Sequence, residues 1–226
     1  MNTGSSAWSE VQQWLQKAKN TVEILAGNRE QGEAVFQHLR VSPRSLMGTL
    51  ALETGGILVD HGWLRFLGSG NERMKENLLS WNAIQDGYGI QQAFIVAHDV
   101  VGGFFAMNGG AFPGEKGNIF YMAPDTLAWQ NLGGSYSQTF SWALTGNLDQ
   151  FYGTMRWPGW QEEVGKTNGD QGLSIIPFLW TGTKEPPVAE RSRRAIPLQE
   201  LWRFEQDIAR QIQHHPPGTP IKINFT

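Results

Sequence analysis

Three short runs dominate the apolar pattern: Phe94-Ile95-Val96-Ala97-His98-Asp99, Phe104-Phe105-Ala106-Met107-Asn108 and Asn118-Ile119-Phe120-Tyr121-Met122. Turn residues separate them, Val100 to Gly103 first and the glycine-rich Gly109 to Gly117 second, and Ala123-Pro124-Asp125 closes the unit. Runs of β-branched and aromatic residues bounded by Gly, Asp and Asn predict strands. The connections are too short for helical crossovers, so Phe94–Val96, Phe104–Met107 and Ile119–Met122 are predicted to be consecutive antiparallel strands. Leu127 to Leu132 is predicted as a fourth. Upstream, Ile57-Leu58-Val59-Asp60, a turn at His61-Gly62, and Trp63-Leu64-Arg65-Phe66-Leu67 predict a hairpin that ends at Gly68-Ser69-Gly70, read as a flexible turn.

Helical spacing occupies the flanks. Trp8, Val11, Trp14, Leu15 and Ala18 share one face, and Ala34, Val35 and Leu39 form the stripe of a second helix capped by Asn28. Val22 to Leu25 reads as a crossing between elements. Residues 46–54 fit helix or strand, and both readings stand. Leu78 to Ile84 predicts a short helix. Ser135 or Ser137 caps a helix bearing Phe140, Ala143 and Leu144, and Asn147 starts another with Leu148, Phe151 and Tyr152. Trp157-Pro158-Gly159-Trp160 is a rigid aromatic corner. Ile175 to Trp180 reads as extended, with Pro177 placing it at a sheet edge, and Lys184 to Arg194 as an exposed loop. Pro197 opens a final helix with Leu201, Ile208 and Ile212 in its apolar row. Glu205 shares that row and should have a partner or lie at its rim.

These elements predict an α+β fold: one curved, mainly antiparallel sheet of about six strands with helices on one side. A single domain over 1–226 is expected, with N-terminal helices in 7–40, the sheet core in 45–135, a helical region in 136–214 and a flexible tail in 215–226.

Composition narrows the function classes. A net charge of −3 gives no general attraction for nucleic acid or anionic lipid. No cysteine is present, which removes thiolate nucleophiles and thiolate metal sites. Neither a signal peptide nor a membrane span is expected from the hydropathy, and the chain reads as cytoplasmic. Ten tryptophans predict half-buried edges or an aromatic binding face.

Complete catalytic motifs are missing from the sequence. Asp60-His61 and His98-Asp99 stand at strand ends, but strand neighbours point to opposite faces, so a turn-capping aspartate and a solvated histidine are expected at each. No metal-ligand spacing occurs, His214-His215 lies in the expected tail, and neither a cofactor nor a metal is expected. The Gly-Gly pairs lack phosphate-loop spacing, and no Gly-x-Ser-x-Gly elbow exists. Glu53, Asp60, Asp99 and Asp125 flank strands and leave carboxylate chemistry open.

The run from Thr54 to Gly70, together with Val101-Gly102-Gly103-Phe104-Phe105-Ala106-Met107-Asn108-Gly109-Gly110, resembles an uncharacterised bacterial family, domain-of-unknown-function family 2625. Ala123-Pro124-Asp125-Thr126-Leu127 and Phe151-Tyr152 through Arg156-Trp157-Pro158-Gly159-Trp160 resemble it too, and the likeness runs from about Trp8 to about Gln211. It implies no catalytic residues. A Gly-Gly turn, a two-strand unit, an aspartate before Gly-Gly-Phe-Phe, and a helix with Tyr136 and Phe140 are similar in order to the Smi1/Knr4-like (SUKH) superfamily. That similarity implies a SUKH-like fold and an immunity-type role against a toxin. The Trp-Pro-Gly-Trp segment and the added C-terminal helix depart from it.

Two function classes follow: a cytoplasmic protein-binding module with a toxin-like partner, and a small-molecule hydrolase built on carboxylates and His61 or His98. The expected binding surface gathers Asp60, His61, Trp63 and Arg65 near Trp81 or near Trp157 and Trp160. Trp63 and Arg65 share a strand face, with Leu64 and Phe66 turned to the core.

Overall fold

The computed structural model describes residues 6–39, 42, 44–84, 86–181 and 186–212. Among them, seven strands form one antiparallel meander in chain order: β1 Val22–Ala26, β2 Thr54–Val59, β3 Leu64–Leu67, β4 Ala93–Asp99, β5 Phe104–Asn108, β6 Asn118–Met122 and β7 Trp129–Ser135. The three strands predicted at the centre are β4, β5 and β6, consecutive and antiparallel as expected. A separate antiparallel pair joins β8 Gln171–Ile176 to β9 Ser192–Pro197. The helices are α1 Ser6–Gln16, α2 Arg29–Leu39, α3 Leu46–Glu53, α4 Leu78–Asn82, α5 Tyr136–Thr145, α6 Leu148–Tyr152, α7 Trp160–Val164 and α8 Leu198–Ile212.

Both faces of the sheet are covered, not one. Cross-strand partners share a face, and the row Phe66, Ala97, Phe105, Tyr121 runs along the first. Phe66 meets Phe140 of α5 at 5.0 Å, Trp14 of α1 lies 6.1 Å beyond, and Tyr121 meets Phe151 of α6 at 5.2 Å. The neighbouring row Arg65, His98, Phe104, Met122 runs along the opposite face. There Phe104 packs on Trp202 of α8 at 4.5 Å and on Trp81 of α4 at 5.3 Å. This double cover explains why every residue of β2 and β3 is buried, although only alternate residues were expected in the core.

Other elements differ from the pattern for local reasons. Val22 to Leu25 is edge strand β1, paired to β2, because its alternation is short and half-exposed. The ambiguous stretch is helix to Glu53 and strand from Thr54, with Ser45 capping the helix through Gly48 N at 3.1 Å. Gly68-Ser69-Gly70 is anchored: the Ser69 hydroxyl donates to Thr54 O at 2.9 Å and accepts from Asn28 N at 3.1 Å. The fourth meander strand begins later than predicted, at Trp129. The extended segment lies at Gln171–Ile176, and its partner β9 starts within the predicted 184–194 loop. Arg191 at the end of that loop is buried, donating to the carbonyls of Pro177, Phe178 and Pro186. The predicted tail from 213 onward, with His214-His215, lies outside the described residues.

The caps read from sequence are present at Ser135, in a reciprocal box with Gln138, and at Asn147. Helix α8 docks through Leu201, Trp202 and Ile208, all buried, while Ile212 is half-buried. At one end of the sheet the β2–β3 and β4–β5 turns sit side by side, linked by Val100 N donating to Trp63 O at 2.9 Å.

Candidate functional site

The β2–β3 turn holds three successive residues in the left-handed region, Asp60 (φ 53°), His61 (φ 57°) and Gly62 (φ 83°). Asp and His tolerate that region better than most side chains, yet two in a row still carry strain. The surroundings fix it. Asp60 N donates to Thr21 O at 2.7 Å, His61 N to the Thr21 hydroxyl at 2.8 Å, and Trp63 N to Asp60 O at 3.0 Å. His61 is left exposed, its ring 5.9 Å from that of Trp160 in an edge contact.

Behind the turn lies an aromatic cage. Trp63 meets Tyr152 at 5.5 Å, Trp157 at 5.8 Å and Trp160 at 5.1 Å. The Arg156 guanidinium sits over Trp160 at 4.1 Å and Trp63 at 4.8 Å, and pairs with Asp60 and Asp149. Glu163 accepts from the Trp157 indole at 2.8 Å and from Arg193, whose guanidinium covers Trp157 at 4.4 Å. The Trp157–Trp160 corner and the Asp60–Trp63 turn therefore come together as expected. Trp63, however, is fully buried and packs as a core residue.

Beside the turn opens a cleft of about 310 Å³, whose lining includes Thr21, Glu23, His61, Arg65, Arg73 and Asn168. Arg65 forms its floor and is only 2% exposed. It donates to Gly62 O at 2.8 Å, Gly169 O at 3.1 Å, Gln171 O at 2.6 Å and the Thr167 hydroxyl at 2.8 Å. Burial lowers its pKa to about 10, against the opposing fields of Asp99 and Asp170. Trp63 and Arg65, although on exposed-reading positions by period two, are not free for a ligand: the cage covers the first and the 160–171 segment the second. Trp81 is not part of this surface. It lies buried on the opposite face from α5, 5.9 Å from His98 and 6.4 Å from Trp202.

The adjacent β4–β5 turn is closed. Asp99 accepts from Val101 N at 3.0 Å, Gly103 N at 2.8 Å and the Tyr121 hydroxyl at 2.7 Å. It caps the turn as expected, and burial raises its pKa despite those bonds and the Arg65 charge. A Cβ at position 103 would lie 2.0 Å from Asp99 Oδ2, so this turn requires glycine there. His98, expected in solvent, is buried with neither ring nitrogen hydrogen-bonded among the described residues. Burial first, and the Arg65 charge second, push it well below the usual histidine range. Glu205 on α8 reaches the same turn, its Oε1 2.2 Å from where a Cβ at Gly102 would stand. It was expected at a rim or with a partner, but it is 3% exposed and Oε2 has none among the described residues. Burial, then Asp99, raise its pKa well above the carboxylate range.

Sequence reading missed Thr21, Glu23, Arg73, Gln161, Thr167 and Asn168. The Thr167-Asn168-Gly169-Asp170 turn cluster was a visible signal; the approach of β1 and the 71–74 segment to that turn was not. Among the described residues no group of three His, Asp or Glu converges as metal ligands, and no helix is long and apolar enough to cross a membrane.

Comparison with known proteins agrees with the resemblance carried by the Thr54–Gly70 and Val101–Gly110 runs. The chain is 40% identical over 205 residues to the uncharacterized protein YbfG of Escherichia coli (strain K12), covering 91% of this chain and 93% of that protein. It is 32% identical over 197 residues to an uncharacterized protein of Haemophilus influenzae (strain ATCC 51907 / DSM 11121 / KW20 / Rd), covering 86% of each. A family profile matches residues 1–201, and the chain belongs to that family, described as "Protein of unknown function DUF2625".

Proposed function

We propose that this chain is a cytoplasmic protein-binding module that engages its partner at the cleft beside the β2–β3 turn. The observation that carries the reading is the turn itself. Two non-glycine residues are held left-handed by Thr21, so that an exposed His61 stands at the mouth of a polar cleft. Strain of this kind is retained where surrounding structure presents a functional group. Cleft volume suits one or two inserted side chains, or a small ligand. The resemblance in sequence order to the Smi1/Knr4-like superfamily supports an immunity-type role with a toxin as partner. The hydrolase reading is the weaker one: Asp60 pairs with Arg156, Glu23 pairs with Arg73, and no hydrogen bond joins His61 to a carboxylate among the described residues.

A photo-crosslinking residue at Gln161, exposed on the cleft wall, tests this in the native cell. A discrete protein adduct is expected there, and none from the same residue at Ile176, at the far end of β8. Equal labelling at both positions, or none at Gln161, overturns the reading. Turnover of ester, amide or glycoside substrates that is lost in His61→Ala would establish the hydrolase instead.

A further inference from the structure

The charges around the cleft specify what it accepts. The floor is the buried guanidinium of Arg65, whose four hydrogen bonds all go to neutral oxygens. Asp99 and Asp170 act on it only through their fields, and neither forms an ion pair with it. At the mouth stands Arg73, with both Glu23 oxygens engaged by its two terminal nitrogens. That fork-to-fork arrangement is the geometry by which arginine recognises a carboxylate. Glu23 and Arg73 are both more than half exposed, belong to different segments and both line the cleft. An exposed pair of this kind is weakly held, because water competes for both ions.

The remaining lining does not oppose an anion. Val164 O, the carbonyl at the end of α7 that would repel one, is already taken by the Thr167 hydroxyl at 2.8 Å and Thr167 N at 2.9 Å. Asp170, the other nearby carboxylate, is spent on Lys75 N and Glu76 N, each at 2.8 Å. Neutral polar groups of Gln161 and Asn168 complete the wall.

From this arrangement we infer that the cleft is a carboxylate-acceptor site. It receives the acidic side chain of a partner protein, which displaces Glu23 from Arg73 within the field of the buried Arg65. Glu23 is then an internal occupant that holds the Arg73 fork in place until the partner arrives. This inference rests on the binding-module reading and adds the chemistry of the group bound.

The test uses the full chain, labelled with ¹⁵N, and two probes: N-acetylglutamate methylamide and its neutral isostere N-acetylglutamine methylamide. The acid is expected to give saturable amide shifts at 21–23, 61–62, 73 and 165–169, and the amide none. Glu23→Gln removes the competitor and should tighten the acid by about 2- to 5-fold, the range an exposed pair allows. Arg73→Gln should abolish the shifts while the spectrum stays dispersed. Equal response to both probes, or an unchanged affinity in Glu23→Gln, overturns the inference. So does inorganic phosphate that saturates the same amides more tightly than the acid, which would mark a general anion site. If the acid fails while the Gln161 adduct forms, the carboxylate chemistry is wrong and the binding module stands. If the acid binds as expected and no adduct forms, the protein-partner reading falls and a small acidic ligand takes its place.

Discussion

Two neighbouring hairpin turns carry the same pair of residues in opposite order, Asp60-His61 and His98-Asp99, and come to opposite ends. In the β4–β5 turn the aspartate points inward, caps two backbone amides and accepts from Tyr121, while the histidine is entombed against Trp81 and Phe104. In the β2–β3 turn the aspartate meets Arg156 and the histidine faces solvent over Trp160. The physical difference is where each pair stands relative to its strand. His98 and Asp99 are still paired in β4, opposite Arg65 and Leu64, so each must enter one of two covered faces. Asp60 and His61 lie beyond the last pair, Val59 with Leu64, where left-handed backbone swings the histidine clear of both faces. Identical chemistry becomes structural in one turn and available in the other.

The largest effect is expected at Asp99. Replacing it by Ala leaves two buried amide donors and the Tyr121 hydroxyl without their acceptor. A loss of about 3–5 kcal/mol in urea unfolding is expected, at the upper end because several groups are orphaned together. A loss of less than about 1 kcal/mol would show that the turn holds without its cap and is no more structural than the β2–β3 turn.

Glu205 sharpens the closed side through pH. Its folded pKa is raised well above 4.5 by burial and then by Asp99. The folded chain therefore holds a proton that the unfolded chain releases. Stability from this group is full below about pH 4.5, the usual unfolded carboxylate value, and is lost as pH rises through the folded value. Within that window the slope approaches about 1.4 kcal/mol per pH unit. Asp99, raised from 3.8, acts in the same direction. Melting temperature should fall from pH 5 to pH 8, and Glu205→Gln should flatten that fall. A variant with an unchanged pH slope would place the titration elsewhere.

The open turn should respond less to loss of its own aspartate. Asp60→Ala removes one of two carboxylates on Arg156, but Asp149 and the faces of Trp63 and Trp160 remain. A cost of about 1–2 kcal/mol is expected for this partly buried pair. A cost equal to that of Asp99→Ala would mean the two turns are held by the same kind of bond after all.

The meander was legible because it is local: short apolar runs and glycine turns suffice to specify neighbouring antiparallel strands. Cap residues such as Ser135 and Asn147 were legible for the same reason. The second covered face was not, since it is built by α4, α8 and the β8–β9 pair, which return from distant parts of the chain. The burial of Arg65 and His98 follows from that, whereas Trp63 is covered by Tyr152, Trp157 and Trp160. Arg65 obeys the period-two rule, but the rule tells which face a side chain takes and not whether that face is roofed. His98 lies on the same covered face as Arg65, which alternation alone does not reveal. The meeting of Asp60 and His61 with the Trp157–Trp160 corner was legible, because a turn and an aromatic corner are both locally encoded. Glu23 and Arg73 could not be found from spacing, since 50 residues separate them and they meet through the β1–β2 pairing together with the bonds of Gly70 N to Gly55 O and Asn71 Nδ2 to Ala26 O.

The smallest effect belongs to His61 itself, and its sign is informative. At φ 57° a histidine carries steric cost that glycine does not. Glycine also makes the unfolded chain more flexible, which returns part of the gain, at about 0.5–1 kcal/mol. His61→Gly should therefore leave stability level or raise it by about 0.5 kcal/mol, a shift of about 1–2 °C in melting temperature for a chain of this size. Core positions behave otherwise, because truncating a packed ring there costs several kcal/mol. A stable His61→Gly protein that loses its Gln161 adduct would show that the strained residue is kept for binding. A variant destabilised by more than 1 kcal/mol would show instead that the His61–Trp160 contact supports the cage, which would make the exposed turn as structural as the buried one.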